Sequence, residues 1–246
     1  MIELVRRLRL RNSRFVGIDI GREAVRIVEL SRNKADTFNL QNYGSEHLID
    51  GAVDDEDIHD LEHVMAAAHR LWQRLNFKAD NAAIGIPSSA VTVHIFPTDQ
   101  ANSESQREIL AEEHITALLG YDVADACIDF CTMGPPTTTS DQITMLVAAA
   151  RRDCVEDRVA VAESLGLRTT VADAETYARQ RALQFAGASI TTNDSAAPSR
   201  QPIGDVSQIP NPFAGMTLAA GIDPAQLHAE APVYLVACGL ALRGFE

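Results

Sequence analysis

The stretch FVGIDIG, residues 15–21, is the part of the sequence that most constrains the fold. Its alternating β-branched residues predict a strand that ends at Asp19 and turns at Gly21 into a second strand, AVRIVEL, residues 24–30. A tight glycine turn places backbone N–H groups where phosphate oxygens can sit, and Asp19 can orient a hydrated Mg²⁺. The same pattern also fits a plain hairpin in which Asp19 is solvated or caps the turn.

Outward from this hairpin, strands and helices alternate along the chain. A third strand is predicted at 37–43, and a long amphipathic helix at 54–75, whose acidic start (54–57) suits the positive end of the helix dipole. Pro87 and Pro97 are expected to end two short strands. The remaining predicted elements are strands at 82–86, 91–96, 126–133, 143–149 and 167–172, and helices from Ser103 to Gly120, at 153–165 and at 174–185. This order predicts an α/β fold with a mixed sheet.

Composition excludes several classes of protein. The 246 residues include 34 Asp and Glu against 21 Lys and Arg, a formal charge of −13, which argues against non-specific nucleic-acid binding. A 46% hydrophobic content is that of a folded chain, able to bury a core in one large or two small domains. No uninterrupted apolar run reaches the roughly 18 residues that span a bilayer, so we expect no integral membrane protein.

Histidines and cysteines give weak signals. His59 and His63 are spaced to chelate zinc on one helix face, but without further ligands at metal-site spacing they favour a solvated polar face. The four cysteines are scattered, which indicates reduced thiols in a cytosolic compartment. Cys127 and Cys131 fall on one face of a predicted strand, and we expect them to be core thiols.

The first fourteen residues, MIELVRRLRLRNSR, carry a net charge of +4 in an otherwise acidic chain. Arg6, Arg7 and Arg9 interrupt the apolar run that a signal peptide needs, so we expect no export. Two interpretations stay open. The segment is either an interfacial helix that contacts anionic lipid through these arginines, as a peripheral membrane association, or a disordered basic lead-in.

Composition changes after the last predicted internal helix. Residues 187–210 are rich in Ser, Thr, Ala, Asn and Pro without periodicity, which is typical of a flexible linker. The following segment, 211–246, ends in the apolar run PVYLVACGLAL, residues 232–242. Because a helix this apolar must be buried, we expect the segment to pack back on the main body.

Six sequence pieces in this order resemble the PilM family of type IV pilus biogenesis, actin-like proteins related to the division protein FtsA. They are FVGIDIG with AVRIVEL; AAIGIPSSAV (82–91); ITMLVAAARRDCVEDRV (143–159); SLGLRTTVADAETYA (164–178); NPFAGM (211–216); and ACGLALRGF (237–245). The last two are the most specific, since chance rarely places both where the family's chains end.

The resemblance implies an α/β fold: an actin-like (ribonuclease H-like) first lobe with an inserted α/β subdomain and a truncated second lobe. The implied divisions are a basic N-terminal segment (1–14), the actin-like subdomain in two parts (15–88 and 167–186), the insert (89–166), the linker (187–210) and the C-terminal segment (211–246).

In the family, ATP sits between two lobes, and the second lobe supplies another phosphate turn and a glycine-rich adenosine contact. Here only the linker stands in that place, although a missing lobe needs on the order of a hundred residues. We therefore expect ATP binding and hydrolysis to be lost, with Asp19 and Gly21 as a residual phosphate turn and no required cofactor. The alternative is an ATP-binding switch or weak ATPase that uses Asp19 and Gly21 with ATP and Mg²⁺.

The retained lobe implies a scaffold. PilM-like proteins use it to bind the cytoplasmic N-terminal tail of the inner-membrane protein PilN, so we expect an adaptor in the cytoplasm, at the inner face of the inner membrane. A groove between the two subdomains can take an extended peptide along a sheet edge. Pro87, Ser88 and Ser89, at the subdomain junction, are the candidate partner-binding residues. Self-association and the particular pilus or DNA-uptake system stay open.

If residues 1–14 form an interfacial helix, the double substitution Arg6→Glu and Arg7→Glu reverses two charges at the lipid surface. We expect binding to anionic vesicles to weaken about tenfold or more, at roughly 1 kcal/mol per basic residue. Co-sedimentation with vesicles containing phosphatidylserine measures this, with neutral vesicles as the control. Unchanged co-sedimentation would support the basic lead-in instead.

Overall fold

The computed structural model describes residues 14–33, 37–133, 141–187 and 210–246. The predicted membrane-contact residues Arg6, Arg7 and Arg9 lie outside these ranges, as does the predicted linker apart from its two end residues.

Nine strands form two sheets within the described residues. They are β1 (Arg14–Ile20), β2 (Ala24–Arg32), β3 (Phe38–His47), β4 (Asn81–Ile86), β5 (Val91–Asp99), β6 (Ala126–Thr132), β7 (Gln142–Arg151), β8 (Arg168–Ala174) and β9 (Thr217–Leu218). The larger sheet is mixed, in the order β8-β4-β1-β2-β3-β9, with β1, β2 and β3 antiparallel and β4 and β8 parallel to β1. The smaller sheet is antiparallel, in the order β5-β7-β6.

Helices cover both faces of the larger sheet because its central strands are apolar on both sides. The helices are α1 (Leu61–Leu75), α2 (Glu104–Thr116), α3 (Arg152–Ser164), α4 (Glu175–Phe185), α5 (Pro224–Glu230) and α6 (Leu235–Arg243), with 3₁₀ turns at Val123–Asp125 and Ala231–Tyr234. In β1, Val16 and Ile18 belong to the core shared with α1 and α3. Phe15 belongs to the opposite core, shared with α4 and α6.

The smaller sheet buries one face against α2. Phe96, Met145 and Val147 form this core with Ile115 of α2. The helix begins where the sequence indicated, because the Ser103 hydroxyl accepts the Gln106 N–H while the Gln106 side chain accepts the Ser103 N–H. This reciprocal capping satisfies two backbone donors at the helix start.

Strand β5 continues through Pro97, which we expected to end it. Gln100 N–H donates to the Asp141 carbonyl. Because hydrogen-bonded positions alternate along an antiparallel strand, the residues that bond to β7 are Gln100 and every second residue before it. Pro97, opposite Thr144, therefore takes a position whose backbone groups point away from the sheet. An outward-facing position on an edge strand needs no N–H, and the proline is tolerated there.

Helix α1 begins at Leu61 rather than at the predicted Asp54. Asp60 caps the helix by accepting the His63 N–H at 2.9 Å. Asp54 instead closes a separate turn by accepting the N–H groups of Glu56 and Asp57, both at 2.8 Å. These hydrogen bonds hold the pKa of Asp54 well below its usual range. A carboxylate that satisfies its own turn competes with helix formation at this point.

Helix α3 packs with the first subdomain, although the predicted insert (89–166) included it. Its Val161 and Ala162 lie in the core that contains Val16 and Ile18 of β1. The helix also contacts β4 and α1. The described part of the insert that forms its own core is thus the smaller sheet with α2, and the first subdomain resumes at α3.

The C-terminal segment packs back on the body, as the sequence predicted. The continuous helical run Pro224–Arg243 is long and apolar enough by length and composition to cross a membrane, with a mean hydropathy of 1.2. No such run was evident from the sequence. Because 61% of its apolar window is buried, and α6 is buried from Leu235 to Leu242 beside β1 and α4, the run is a core helix of this fold.

Two glycines allow α6 to lie almost directly on its neighbours. A Cβ at Gly17 of β1 would overlap the Ala237 carbonyl oxygen and the Ala241 nitrogen of α6. A Cβ at Gly239 would overlap the backbone of Ala178 in α4. β1, α6 and α4 therefore pack so closely that their backbones are in direct contact at these two glycines.

We expect Gly239→Ala to lower the free energy of unfolding by about 1–3 kcal/mol or more, because α4 or α6 must move to admit the methyl group. Urea denaturation measures the loss. Gly120→Ala is the matched control, since a Cβ there meets nothing within 4 Å and should change stability by about 0.5 kcal/mol or less. Equal losses in the two variants would contradict this packing.

Candidate functional site

The turn after β1 is closed on itself. Gly21 donates its N–H to the Ala24 carbonyl at 3.1 Å, which makes β1 and β2 a hairpin. The Gly21 N–H is therefore engaged within the turn rather than directed at open space. The predicted turn at Gly21 is present, and its N–H donor is already engaged by the Ala24 carbonyl.

Asp19 is buried at the end of β1, with 6% of its surface exposed. Its Oδ2 lies 3.5 Å from Nη1 of Arg26, the residue directly opposite on β2. Burial raises the pKa of Asp19, and the guanidinium groups of Arg26 and Arg179 act against that rise. Asp19 and Arg26 belong to a polar cluster at this end of the sheet, whose other members are Glu175, Arg179 and Arg158.

Glu175, the first residue of α4, is the second element of this cluster. Its pKa is raised to about 7, first by burial and then by the nearby charge of Asp19, while Arg179 and Arg158 act in the opposite direction. Arg158 reaches the cluster from α3, fully buried, and donates to the Cys154 carbonyl at 2.9 Å and the Glu56 carbonyl at 3.1 Å.

These residues fit an ATP·Mg²⁺ complex poorly. A hydrated Mg²⁺ at Asp19 would have to displace the Arg26 guanidinium, whose Nη1 lies only 3.2 Å from the position of a Cβ on Gly21. Between α4 and β9 the chain has only residues 186–216. An independent lobe needs on the order of a hundred residues, far more than this segment contains. Among the described residues, no second lobe faces the polar cluster to form the opposite wall of a nucleotide clamp.

A groove of about 400 Å³ lies beside this cluster, between the two sheets. One side is β6 with the adjoining part of β7. The other side is the end of β8, the first turns of α4 and the end of α6. The residues on these two sides are Cys127–Cys131, Leu146 and Ala148–Ala150 on the first, and Ala172–Ala174, Tyr177, Arg181 and Arg243 on the second.

The groove exposes the face of the smaller sheet that α2 does not cover. Ile128 and Phe130 of β6 pack towards the core under α2. Cys127 and Cys131 point the other way, half-buried and exposed respectively, and line the groove. The expectation that these two are core thiols is wrong, because the alternation of β6 is that of a sheet covered on one face only.

Ion pairs hold the far wall of the groove. Arg181 of α4 binds Asp173 of β8 at 2.8 Å and Glu246 at 2.9 Å. Arg243 of α6 also binds Glu246, at 2.6 Å. This network ties α4, α6 and β8 together along the groove, so the wall is a fixed surface.

The predicted partner-binding residues lie beside the groove rather than in its lining. Pro87, Ser88 and Ser89 form the turn that joins β4 to β5. The Ser88 hydroxyl is 2.5 Å from that of Thr176 in α4, and the Ser89 hydroxyl donates to the Asp55 carbonyl at 2.6 Å. They fix the connection between the two sheets. The sequence signal that points to the groove is the polar alternation of β6, Cys-Ile-Asp-Phe-Cys at 127–131.

The two histidines do not share a helix face, although the sequence predicted that they would, because His59 precedes α1 and His63 lies in its first turn. His59 lies 2.8 Å from the Asp54 carboxylate, and the Nε2 atom of His63 accepts the Ile49 N–H at 3.3 Å. Among the described residues, no three His, Cys, Asp or Glu side chains are grouped so that they could hold a metal ion.

Fold and groove together define a class. The mixed sheet starts with a hairpin and a turn after Asp19, carries helices on both faces and receives an α/β insert after β4. This arrangement is that of an actin-like first lobe with a truncated second lobe. The family model of the type IV pilus assembly protein PilM matches residues 17–199 and 186–245. The chain belongs to the PilM family.

Solved structures are similar to this chain to different degrees. A PilM-PilN type IV pilus biogenesis complex is similar at 15% identity with a TM-score of 0.73, over 94% of this chain and 98% of that chain. The cytoplasmic domain of EpsL, an inner membrane component of the type II secretion system of Vibrio cholerae, is 11% identical with a TM-score of 0.46, over 68% and 59%. A Bacteroides thetaiotaomicron protein with an actin-like ATPase fold is 8% identical with a TM-score of 0.35, over 75% of this chain and 60% of that chain.

Glu175→Gln tests the polar cluster through pH. The folded state holds the Glu175 proton up to a pKa of about 7, whereas the unfolded chain releases it near 4.5, so its stabilising effect is lost as the pH rises through about 7. We expect the free energy of unfolding of the wild type to fall relative to Glu175→Gln between about pH 5 and pH 8. Urea titrations across this range measure it.

Glu113→Gln, on the exposed side of α2, is the control for this experiment. Its pH curve should run parallel to that of the wild type. A Glu175→Gln curve that is also parallel would contradict the assignment of a raised pKa to Glu175.

Proposed function

We propose that this protein is a cytoplasmic adaptor of type IV pilus assembly, or of related DNA-uptake or twitching machinery, at the inner face of the inner membrane. It holds the extended cytoplasmic N-terminal tail of a PilN-like inner-membrane protein in the groove between its two sheets. The observation that carries this proposal is the outer edge of β6, which pairs with no strand among the described residues and borders the groove along its length.

The pairing of β6 with β7 determines which backbone groups of β6 face the outer edge of the sheet. Met133 N–H donates to the Thr144 carbonyl, and residues at intervals of two from Met133 bond to β7 in the same way. The N–H and C=O groups of Ile128, Phe130 and Thr132 therefore point away from β7, along the edge. A peptide in extended conformation can pair with these groups as an additional strand.

The opposite edge of the same sheet is protected. In β5 the outward-facing positions include Ile95 and Pro97, and the proline removes one of the donors that an added strand would need. The edges of the smaller sheet are thus unequal, and β6 is the one suited to receive a partner.

The groove also offers an apolar surface to the partner's side chains. Leu146, Ala148 and Cys131 are only partly covered and face the groove, and small residues such as Ala172 and Ala174 form the opposite side. Small side chains leave room for larger aliphatic ones on the partner. The overall charge of −13 favours association with a tail that carries basic residues near the membrane.

The partner class comes from the family and from the matched structure, which is a complex of PilM with PilN. The adaptor works without nucleotide chemistry in this proposal. The Asp19–Arg26 pair and the short chain between α4 and β9 support a structural role for the old phosphate turn. ATP and Mg²⁺ are then not required for partner binding.

The test is affinity capture of the tagged chain from detergent-solubilised membranes of its own cells, with partners identified by mass. We expect the wild type to recover a single-span PilN-like protein equally with and without ATP·Mg²⁺. Ile128→Pro removes an edge donor from β6, and we expect recovery to fall at least about tenfold. Ile95→Pro removes the equivalent outward donor from β5, and recovery should be unchanged.

Circular dichroism and thermal melting of both variants establish that each is folded. Equal recovery by Ile128→Pro and wild type would overturn the β6 edge as the docking site. Recovery that requires ATP·Mg²⁺ would instead favour the nucleotide switch built on Asp19 and Gly21.

A further inference from the structure

The groove contains one charge that the fold does not balance. On the far wall, Arg181 and Arg243 are matched by Asp173 and Glu246. Asp129, in the middle of β6, is exposed and forms no ion pair within the described part of the chain.

The carboxylate of Asp129 reaches the edge at which a partner strand would dock. Its Oδ1 accepts the N–H of Phe130 at 2.9 Å, and that N–H is one of the outward-facing donors of β6. The side chain is therefore held at the edge. An incoming carbonyl would have to take over this donor, which would release Oδ1 for a cation on the partner.

The register of the smaller sheet gives the residue that Asp129 would face. Asp129 pairs with Ala148 and directs its own backbone groups to β7. In a docked strand that runs antiparallel to β6, the residue directly opposite Asp129 is then in a non-hydrogen-bonded pair, where Cα atoms lie about 4.5 Å apart and side chains are closest. Opposite charges across such a pair attract, and like charges repel.

The neighbours of Asp129 on the same face are uncharged. Cys127 and Cys131 lie two residues to either side of it, and burial together with Asp129 raises the pKa of the Cys131 thiol, while the charge of Arg243 on the far wall acts against that rise. Cys131 pairs with Leu146 and Cys127 with Ala150, so apolar surface flanks the carboxylate. Partner residues two positions away on either side of the one opposite Asp129 would rest on this surface.

We infer that Asp129 is a specificity-determining residue of the groove, which selects an extended segment with the pattern apolar-x-basic-x-apolar. The basic side chain pairs with Asp129, and the two flanking aliphatic side chains pack over Cys127 and Cys131. This inference rests on the proposed docking at β6. It adds to that proposal the chemistry of the bound segment.

Three fluorescein-labelled peptides test the inference: Thr-Leu-Thr-Lys-Thr-Leu-Thr, the same peptide with Glu in place of Lys, and Thr-Leu-Lys-Thr-Thr-Leu-Thr. The last moves the basic residue to the other face of the strand. Binding to the full chain is followed by fluorescence polarisation, and by chemical-shift titration where affinity is weak. We expect the wild type to prefer the first peptide over the Glu peptide by about tenfold, because attraction is replaced by repulsion, and over the third peptide by about threefold, because only the attraction is lost.

Substitutions at Asp129 separate specific readout from general attraction. We expect the Lys-over-Glu preference to fall to about twofold in Asp129→Asn and to invert in Asp129→Lys. Asp125→Lys makes the same charge change on an exposed residue just before β6 that does not line the groove, and should leave the preference unchanged. Matching heteronuclear spectra show that the variants keep the fold.

The outcomes distinguish the inference from the proposal on which it rests. Capture from membranes that is lost in Ile128→Pro, together with a charge preference that the Asp129 substitutions do not alter, overturns the inference alone. The same holds if capture succeeds but the wild type binds none of the three peptides. Capture that Ile128→Pro leaves intact overturns the docking site and the inference with it.

Discussion

The close approach of α6 to β1 is the constraint on which the rest of the structure depends. With glycine at positions 17 and 239, the terminal helix lies against the strand on one side and α4 on the other. This stack sets the position of α4, and through it the place of Glu175 in the polar cluster and of Arg181 on the groove wall. A methyl group at either glycine would disturb both at once.

The polar cluster and the groove are adjacent products of the same elements. The end of β8 and the start of α4 contribute Glu175 to the first and Asp173 and Tyr177 to the second. In the cluster, Asp19 lies 3.5 Å from its cross-strand partner Arg26. In the groove, Asp129 is exposed and forms no ion pair among the described residues. The two sites thus differ in how far the fold itself balances their charges.

Much of the architecture could be predicted from the sequence, and the groove could not. Alternation and capping identified the hairpin at 15–30 and α2, and the apolar C-terminal run correctly implied a return to the core. The start of α1 was missed because Asp54 satisfies its own turn, which no helical periodicity reveals. Cys127 and Cys131 were misplaced because alternation shows that two faces differ, while only the tertiary arrangement decides which is covered. The same reason hid the exposure of Asp129 at the groove.

The position of α6 also bears on how the chain reaches its fold. The helix follows β1 by most of the length of the sequence, yet the two are in contact at the centre of the molecule. Until α6 has been synthesised, this face of the larger sheet is covered only in part, by α4. Contacts of such large sequence separation form slowly. The nascent chain therefore exposes the apolar surface of β1 that α6 later covers for much of its synthesis.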